Sequence, residues 1–418
     1  MVSVFETDDH QDLRKTVRRF AEREIAPQVE QMEFTQTVDV ETSMSIARQG
    51  WLGVTIPKKW GGMGAGHLAK TIVIEELARK SGAMGAMFQA SALGAAKILH
   101  FGTERQKQRW LPAIAAGQCL PTIAVTEQES GGNVLDMRAT ARRDGEEWVL
   151  NGRKVYVGNS HIGHLHGVVV RTGGGDTRRS KSLSAFLVEA DRPGLTLLPY
   201  EAPLGLHGFS FGDLVMHNVR VPATNMIGGL GEGLDVAYSS SVLYGRPNLT
   251  AVALGIHQAL LEETIAFTTD PLHQRRGAPL AELPKVRERI GQIKQRLMTA
   301  RALAYQAVHM LDHGQPCDDE LMSAKEYGVE AVWDSARAAM KIHAAAGLRR
   351  DRPIQRLLRD SFHLEAPAGT GDIQIHRLAE SALGINHGPP WSVRLAPLTA
   401  LYPPTTPEEP ATTEEPAA

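Results

Sequence analysis

This chain of 418 residues has few cysteines and no long apolar run. Its two cysteines, Cys119 and Cys317, are too few for a disulfide framework, so we expect reduced thiols. No run of roughly 18 apolar residues occurs, and no transmembrane helix is therefore predicted. The first ten residues lack the positive start and the apolar core of a signal peptide. We therefore expect a cytoplasmic protein with no membrane partner.

An excess of positive charge is also absent. The formal net charge is −2 and the sequence pI is about 6.8, so the composition argues against a nucleic-acid partner. The chain is 42% hydrophobic and 22% charged, which is ordinary for a globular protein, and its length predicts two or three domains. Residues 403–418 are rich in Pro, Thr and Glu and are predicted to be disordered.

Three segments of different character follow one another along the chain. Residues 1–120 carry apolar residues at helical spacing and predict an N-terminal helical domain. Residues 121–231 contain short β-branched runs separated by Gly, Pro and Asn, which predicts an antiparallel β domain. Residues 232–392 return to helical spacing, and their long apolar stripe predicts a C-terminal four-helix-type bundle.

The most informative stretches lie in the β segment. Residues 125–133 run from a predicted strand into Ser-Gly-Gly, which leaves bare backbone N–H groups beside a tight turn and suits a phosphate or a ring edge. Residues 149–159 contain Asn151-Gly152, which predicts a two-residue hairpin between two strands. Each stretch alone is compatible with an ordinary β-hairpin. The two stretches together, in this order and at this spacing, are a more specific indication of function than either alone.

Together the two stretches resemble the flavin-holding middle domain of the acyl-CoA dehydrogenase family. Residues 220–233 resemble the family's link between its β domain and its bundle, and Arg359-Asp360 with residues 369–374 resembles its C-terminal signature. The resemblance covers about residues 8–390. It implies an α+β fold with an N-terminal helical domain, a central antiparallel β domain and a C-terminal helical bundle. It also implies FAD as the cofactor.

Members of the family oxidise the Cα–Cβ bond of an acyl thioester. A carboxylate takes the α proton while the β hydrogen leaves as hydride to the flavin. The resemblance places that carboxylate directly before the Gly-Thr of the C-terminal signature or, in a minority of members, before an Arg on the first long bundle helix. This chain has Ala368 and Gly245 at those positions. Ala368 cannot accept a proton, but its backbone N–H can still hold a thioester carbonyl.

Glu365 is the nearest substitute for the missing base, three residues upstream on the same predicted loop. The alternative is that Glu365 is a solvated surface residue. His363 and Tyr244 are further candidates, each with packing or hydrogen bonding as its alternative role. We therefore assign Glu365 and Ala368 to catalysis.

The resemblance also assigns flavin contacts, some of which are kept and some replaced. Thr126 stands at the pyrimidine edge of the ring, and Tyr156 replaces the usual Trp that packs on it. Gly158 replaces a Thr whose hydroxyl bonds flavin N5, so we expect one lost donor and an open space there. The residues assigned to the cofactor are Val125, Thr126, Gly131, Gly132, Tyr156, Val157, Gly158, His273, Arg276, Thr370 and Asp372.

The contacts with the FAD pyrophosphate depart further from the family pattern. His273 stands where a bundle Arg normally reaches the FAD of the neighbouring subunit, and Arg275 or Arg276 is the candidate replacement. The family's Gly-Gly turn is Ala344-Ala345 here. We expect FAD to bind, and the sequence leaves open how tightly.

Three histidines, His161, His164 and His166, raise a metal hypothesis. Metal sites usually add a Cys or a carboxylate, and none lies near them in the sequence. We expect no metal and place these histidines at a strand junction near the exposed edge of the flavin.

Three functions remain open on these residues. The first is FAD-dependent oxidation of an acyl thioester, carried by CoA or an acyl carrier protein, with a displaced base and a role in secondary metabolism. The second is a flavin oxidase or monooxygenase on the same fold, which Ala368 and Gly158 together favour. The third is a non-catalytic partner subunit, against which the retained Thr126 and Tyr156 argue.

The resemblance also implies protein partners. Because the family completes its FAD site across a subunit interface, we expect a homotetramer or a dimer. A dehydrogenase would pass its electrons to an electron-transfer flavoprotein, and an oxidase would pass them to oxygen. The acyl group and the electron acceptor do not follow from the sequence.

Overall fold

A computed structural model describes residues 4–173, 179–385, 388–396 and 401. Within these residues a helical N-terminal part, a central β sheet and a helical C-terminal part follow one another, so the predicted α+β fold class is confirmed. The predicted disordered tail, residues 403–418, lies outside the described residues. Among the described helices, none combines the length and the apolar character that crossing a membrane requires.

The N-terminal part is built from helices whose starts are capped as the sequence suggests. Thr7 and Thr103 each accept a backbone N–H three residues on and form a capping box, and Ser81 caps the helix that follows it. The helices are α1 Asp8–Phe20, α2 Val29–Thr35, α3 Val40–Ala47, α4 Gly66–Lys80, α5 Gly82–Phe101 and α6 Glu104–Ala115.

The central sheet has eight strands among the described residues, in the order β6-β7-β3-β2-β4-β5-β8 with β1 beside β4. Most neighbours are antiparallel, as predicted, but β1 and β2 each pair with β4 in parallel, which the sequence did not indicate. The strands are β1 Pro121–Ala124, β2 Thr140–Asp144, β3 Glu147–Gly158, β4 Leu165–Arg171, β5 Leu183–Glu189, β6 Leu195–Leu197, β7 Phe211–Pro222 and β8 Met226–Ile227.

The predicted hairpin at Asn151-Gly152 is wrong. Both residues lie inside the continuous strand β3, where the register against β7 shifts between Leu150 and Gly152. Between these two pairs β7 has one residue more than β3, so the β-bulge lies on β7, at His217 and Asn218 opposite Asn151. The turn that joins β2 to β3 lies at Gly145 instead, and its positive φ of 62° suits glycine.

The C-terminal part is helical, with one small hairpin of β9 Gln274–Arg275 and β10 Ala278–Pro279. Its helices are α7 Gly233–Ser240, α8 Arg246–Thr269, α9 Pro284–Asp312, α10 Asp318–His343, α11 Pro353–Phe362, α12 Gly371–Ala382 and α13 Trp391–Arg394.

Short π-helical and 3₁₀ segments occur along the whole described chain. The π-helical segments are Ala21–Ile25 and Ser241–Gly245. The 3₁₀ turns are Ala26–Gln28, Trp51–Gly53, Lys58–Trp60, Val134–Asp136, Arg179–Ser182, Ala223–Asn225, Leu280–Glu282 and Ala344–Leu348.

Helices α4 and α5 lie at the centre of the molecule. Nearly every residue of both helices is buried, and α4 packs against α1, α5, α8 and α9. Lys70, Glu75, Glu76 and Lys97 are therefore charged side chains in the core. A buried charge is costly unless it is paired and hydrogen-bonded, so each of them needs an explanation.

Candidate active site

The two motif stretches of the β segment lie against each other. The backbone N–H of Val155 donates to the carbonyl of Thr126 over 2.9 Å, and Lys154 Nζ donates to the carbonyl of Val125, also over 2.9 Å. These bonds fix the segment after β1 beside β3. The structure therefore brings together Val125 and Thr126 with the strand that carries Tyr156.

An acid–base pair anchors the loop that follows Thr126. Glu127 accepts the backbone N–H groups of Arg138 and Ala139 at 2.6 and 3.0 Å and pairs with Lys154 Nζ at 2.7 Å. Burial raises the pKa of Glu127, but these donors outweigh it and hold the pKa below the ordinary value. Burial lowers the pKa of Lys154 to about 8. The anchor ties the start of the loop to its end at Arg138 and Ala139.

That tip carries the glycines predicted to face a phosphate. Gly131 and Gly132 are exposed, and a Cβ added at either position would meet no described atom within 4 Å. Ser130 Oγ donates to the carbonyl of Asn133 over 2.8 Å and closes the turn. Open backbone at a closed turn is the arrangement that admits an anion.

An aromatic surface lies on the same strand. The Tyr156 side chain is 54% exposed, and its φ of 58° is unusual for a residue other than glycine. Its ring stacks on Phe211 of β7 with centroids 5.6 Å apart, and Phe211 in turn stacks on Phe209. Val157 points the other way, into the core of the sheet. Tyr156 therefore offers a flat face, whereas Val157 offers only its backbone.

Gly158 does not open a space, contrary to expectation. A Cβ added there would lie 3.1 Å from the Cβ of Ala90 and 3.2 Å from the ring of Phe209. Both distances are shorter than ordinary van der Waals contact. Phe209 and α5 therefore occupy the volume beside Gly158.

The two positions to which the family resemblance assigns the catalytic carboxylate, Gly245 and Ala368, face each other. A Cβ added to Gly245 would lie 2.9 Å from the Cβ of Ala368, so the end of the π-helical segment touches the loop before α12. Ala368 has a φ of 58°, and Gln374 Nε2 donates to its carbonyl over 3.1 Å. The structure thus shows one site with two possible positions for a carboxylate, and neither position carries one.

Glu365 is held at the start of α12. Its Oε1 accepts the backbone N–H of Gly371 over 2.6 Å, and its Oε2 lies 3.8 Å from Lys325 Nζ. Lys325 also donates to the carbonyls of Glu365 and Gly369, and burial lowers its pKa to about 8. Glu365 therefore caps a helix N-terminus in this structure, a stabilising place for a carboxylate.

Thr370 and Asp372 lie beside that cap. Thr370 is the N-cap residue of α12, yet its hydroxyl makes no capping hydrogen bond, because Glu365 takes that role. Asp372 is exposed in the first turn. Both side chains remain available to a ligand next to Ala368.

Of the two other base candidates, His363 contacts the aromatic surface. Its Nε2 accepts the backbone N–H of Gly205 over 3.2 Å, and its ring lies edge-on to Phe211 at 6.3 Å. Burial, together with the neighbouring His207, lowers the pKa of His363 to about 4. Tyr244 is 1% exposed, and burial raises its pKa above the ordinary value. His363 thus links Phe211 to the loop of Ala368.

The residues predicted at the pyrophosphate are not brought to this site within one chain. His273 stacks on Phe267 with centroids 3.9 Å apart and bonds the Phe267 carbonyl through Nδ1 at 2.9 Å. Arg276 is exposed at the tip of the β9–β10 hairpin with a φ of 55°. Ala344 adopts a φ of 49° just after α10. Their role across a subunit interface stays a prediction.

The three histidines of the metal hypothesis have separate partners. His161 Nε2 bonds the Leu198 carbonyl at 2.9 Å, His164 Nδ1 accepts the Leu120 N–H, and His166 Nδ1 bonds Thr122 Oγ1. Within the described part of the chain, no group of three or more His, Cys, Asp or Glu residues is arranged to hold a metal ion.

Sequence reasoning missed several residues of this region. Phe209 and Phe211 shape the aromatic surface, and Lys325 holds the loop of Ala368 through two carbonyls. The aromatic pair at alternate positions entering β7 was a usable signal, since alternate residues of a strand share a face. Nothing in the sequence indicated Lys325, because its partners lie 40 and 44 residues away.

Comparison with known proteins identifies the family. Models of the N-terminal, middle and C-terminal domains of acyl-CoA dehydrogenase match residues 7–118, 122–219 and 231–383. An acyl-CoA dehydrogenase of Bacillus subtilis (strain 168) is 31% identical over 379 residues, covering 90% of this chain and 99% of the relative. The chain belongs to the acyl-CoA dehydrogenase family and is an enzyme of that family.

Two solved structures show the same fold with different chemistry. A glutaryl-CoA dehydrogenase from Mycobacterium smegmatis in complex with FADH2 has a TM-score of 0.84 and 25% identity, covering 91% of this chain and 96% of that one. The prolyl acyl carrier protein oxidase AnaB has a TM-score of 0.83 and 26% identity, covering 90% and 99%. FAD is therefore the cofactor that the family and its solved structures support.

Proposed function

We propose that this protein binds FAD and oxidises the Cα–Cβ bond of an acyl thioester. The contact between Gly245 and Ala368 carries this proposal, because it brings both possible base positions to one point beside the α12 loop. The flat face of Tyr156 and Phe211 and the open turn at Gly131 fit a flavin ring and a phosphate. The thioester is carried by CoA or by an acyl carrier protein, the carrier in the printed name of AnaB.

The chain's own residues divide the work. Tyr156 supports the flavin ring, Thr126 contacts its edge, and the N–H groups of Gly131 and Gly132 face the pyrophosphate. The backbone N–H of Ala368 donates to the thioester carbonyl and lowers the pKa of the α proton. Bound FAD would supply the acceptor for the hydride that leaves the β carbon.

Glu365 is the base that we propose for the α proton. It is three residues from Ala368 on the same loop, and it is a carboxylate. To act, its Oε1 must exchange the N–H of Gly371 for the substrate proton, so its present bond is a resting position. The alternative is that Glu365 serves only as a permanent cap of α12.

The variant Glu365→Gln separates these roles. A base that is lost lowers kcat for flavin reduction by about 10²–10⁴-fold and removes the corresponding limb of the pH profile. If Glu365 is only a cap, the amide oxygen of Gln still accepts the Gly371 N–H, so kcat stays unchanged and only the charge at the helix N-terminus is lost, which costs about 0.3–1 kcal/mol of unfolding free energy. Rapid mixing with an acyl thioester under anaerobic conditions measures the first, and thermal unfolding measures the second. An unchanged kcat contradicts the proposed base.

Glu326→Gln is the matched control for Glu365→Gln. Glu326 lies on α10 beside Lys325, and burial with the nearby Glu330 and Glu365 raises its pKa above the ordinary value. It has no proposed contact with the substrate. Its removal is expected to leave flavin reduction within a factor of about two, whereas a loss as large as that of Glu365→Gln would show a general electrostatic effect.

A second candidate function, a flavin oxidase or monooxygenase, is favoured by one observation. Neither Ala368 nor Gly245 carries a carboxylate at the point where they meet. Under this alternative, Ala368→Glu is expected to add acyl-CoA dehydrogenase activity that the native protein lacks. Gly245→Glu is not expected to do so, since its Cβ would collide with that of Ala368. Consumption of oxygen with no desaturated product would favour the alternative.

We further propose the assembly and setting that the family resemblance implies. A homotetramer or dimer would bring His273 and Arg276 of one subunit to the FAD of its neighbour. Departures from the family pattern at Ala368, Gly158 and His273 support a specialised substrate in secondary metabolism. Efficient turnover of ordinary straight-chain acyl-CoA thioesters contradicts that role. Reduction of an electron-transfer flavoprotein or of oxygen identifies the electron acceptor.

A further inference from the structure

Four polar side chains from three parts of the chain meet in the core next to the proposed reaction site. His67 and Lys70 come from α4, His100 comes from α5, and Tyr244 is the neighbour of Gly245 in the π-helical segment. All are at most 8% exposed. The rings of His67 and His100 lie edge-on to Tyr244 with centroids 4.9 and 5.7 Å away. We refer to these four residues as the donor cluster.

The donor cluster is incompletely paired among the residues that the structure describes. Neither ring nitrogen of His100 has a hydrogen-bond partner, and Nε2 of His67 has none. Lys70 Nζ bonds His67 Nδ1 at 2.8 Å and lies 4.3 Å from the centre of the Tyr244 ring, without an ion pair. Buried polar atoms without partners are rare in native proteins, so this group calls for a ligand or ordered water.

The nearest carboxylate does not complete the donor cluster. Asp312 of α9 gives its two oxygens to the backbone N–H groups of His67 and Leu68 at 2.7 and 2.9 Å. Burial lowers the pKa of Lys70 to about 7, and Asp312 only partly offsets this effect. When it is protonated, the lysine is therefore a buried cation whose charge is not fully compensated.

Most of the unused hydrogen-bonding capacity of the donor cluster is N–H donors. A protonated Lys70 can only donate, so in that state His67 Nδ1 accepts and the ring proton is on Nε2, which has no partner among the described residues. Lys70 keeps further N–H bonds, and His100 carries at least one. A group rich in buried donors with one uncompensated cation is complementary to an anion of several acceptor oxygens.

The position of the donor cluster connects it to the acyl group. Tyr244 adjoins Gly245, which meets Ala368, and unpartnered buried atoms continue along α8 at Arg246 Nε and Asn248 Oδ1. Along α5, His100 lies ten residues beyond Ala90, which meets Gly158; this is about 15 Å of helix. Both α5 and the π-helical segment thus lead from the proposed thioester site to the donor cluster, and we infer that the acyl end extends in this direction.

We propose that the donor cluster binds a carboxylate at the far end of the acyl group, so that the substrate is a thioester of a dicarboxylic acid. The carboxylate oxygens accept from Lys70 Nζ and from the rings of His67 and His100. This inference rests on the proposed function, because it names the substrate class of the same site.

Binding of matched thioesters to the FAD-loaded protein tests the inference. The probes are pantetheine thioesters, whose arm CoA and acyl carrier proteins share, with either a carboxylate-ended or a methyl-ended acyl chain of the same length. Calorimetry without oxygen, on protein whose FAD has been chemically reduced and so cannot accept a hydride, is expected to show at least tenfold tighter binding of the carboxylate-ended compound. Lys70→Met and His100→Leu are each expected to reduce this preference by about tenfold, which corresponds to about 1.4 kcal/mol.

His257→Leu is the matched control. His257 is a histidine of α8 that is 1% exposed and lies outside the donor cluster, so the preference is expected to stay unchanged. FAD content and circular dichroism verify that each variant folds. If Lys70→Met does not fold, His100→Leu and Tyr244→Phe still report on the same preference.

The outcomes separate failure of the inference from failure of the proposed function. Equal binding of both thioesters, or a preference that Lys70→Met and His100→Leu leave unchanged, overturns the carboxylate site and leaves water as the occupant of the donor cluster. No measurable binding of either thioester contradicts the proposed function and with it the inference. Because binding is measured without turnover, loss of catalysis alone changes neither result.

Discussion

Helix α4 carries two buried polar clusters that differ in one respect: one is paired and the other is not. Near its C-terminal end, Glu75 accepts from Arg301 Nη2 at 2.6 Å and from the Tyr305 hydroxyl at 2.5 Å, and Arg14 lies within 3.5 Å. We refer to these four residues as the ion-pair cluster. On α4 the donor cluster comprises His67 and Lys70, and Lys70 lies five residues before Glu75, about 7.5 Å along the helix axis.

The difference between the clusters indicates what each does. In the ion-pair cluster every charge meets an opposite charge within the chain, as a structural element requires. In the donor cluster, by contrast, Lys70 contacts His67 and the Tyr244 ring, and His100 contacts the same ring. None of these contacts is with a side chain of opposite charge. The same helix therefore bears a cluster that stabilises the fold and a cluster whose partner we infer to be the substrate.

The largest expected effect is the removal of the charge at the centre of the ion-pair cluster. Glu75→Gln leaves Arg301 without its ion-pair partner, whereas Arg14 keeps Glu6 and Glu76. The variant is expected to cost about 3–5 kcal/mol of unfolding free energy. Denaturant unfolding of the FAD-loaded protein at pH 7 measures this loss. A loss below about 1 kcal/mol would show that the ion-pair cluster does not stabilise the fold.

The loss caused by Glu75→Gln is also expected to depend on pH. Although burial by itself raises the pKa of Glu75, Arg301 and Arg14 lower it to about 2, below the ordinary 4.5. A carboxyl group with a lowered folded-state pKa contributes stability above its unfolded pKa, and loses it as pH falls through the folded one. The difference between wild type and variant should therefore shrink from pH 4.5 toward pH 2.

The opposite sign is expected for the donor cluster. Lys70→Met removes an uncompensated buried cation, and in the absence of substrate it is expected to raise the unfolding free energy by about 1–4 kcal/mol at pH 7. It should at the same time weaken binding of the carboxylate-ended thioester, a trade between stability and function that binding sites show. If Lys70→Met is less stable than the wild type, Lys70 stabilises the fold, as the charges of the ion-pair cluster do.

The pH dependence of Lys70→Met follows from the same pKa. Because burial lowers the pKa of Lys70 from 10.5 to about 7, the unfolded chain holds more protons than the folded chain between those values. Wild-type stability should therefore rise between pH 7 and about pH 10 through this lysine, and the variant should lack that rise. Thermal unfolding across this pH range measures the two slopes.

A matched pair of tyrosines gives the smallest and sharpest contrast. Tyr305→Phe removes a donor to a buried carboxylate and is expected to cost about 1.5–3 kcal/mol. Tyr244→Phe removes a hydroxyl that interacts with the neutral Thr55 side chain rather than with a carboxylate, and we expect a loss of less than about 1 kcal/mol. Equal losses in the two variants would remove the distinction between the clusters.

The sequence predicted the order of helices and strands better than the details of the site. Asn151-Gly152 predicted a turn, but both residues continue β3, and the β-bulge beside them lies on β7. Gly158 suggested an open space, but Phe209 and Ala90, both distant in the sequence, fill it. Such outcomes depend on which segments pack together, and a local pattern does not contain that information.

In the candidate site, too, local motifs were recognised from the sequence, whereas contacts between distant segments were not. Tyr156 and the glycines at 131 and 132 were recognised from short motifs, and the structure leaves the ring and the turn accessible. Glu365 was recognised only as a nearby carboxylate. Its bond with Gly371 depends on where α12 begins.

The sequence by itself determined the family, the α+β order of segments and the absence of a carboxylate at Ala368 and Gly245. These properties are local in the chain: periodicity, turn residues and residue identity at a motif. Only the tertiary structure decided that Gly245 touches Ala368 and that His67, Lys70, His100 and Tyr244 share one buried space. Those contacts join residues that are distant in the sequence. The packing of the core alone decides which of these residues meet and which keep a polar atom without a hydrogen-bond partner.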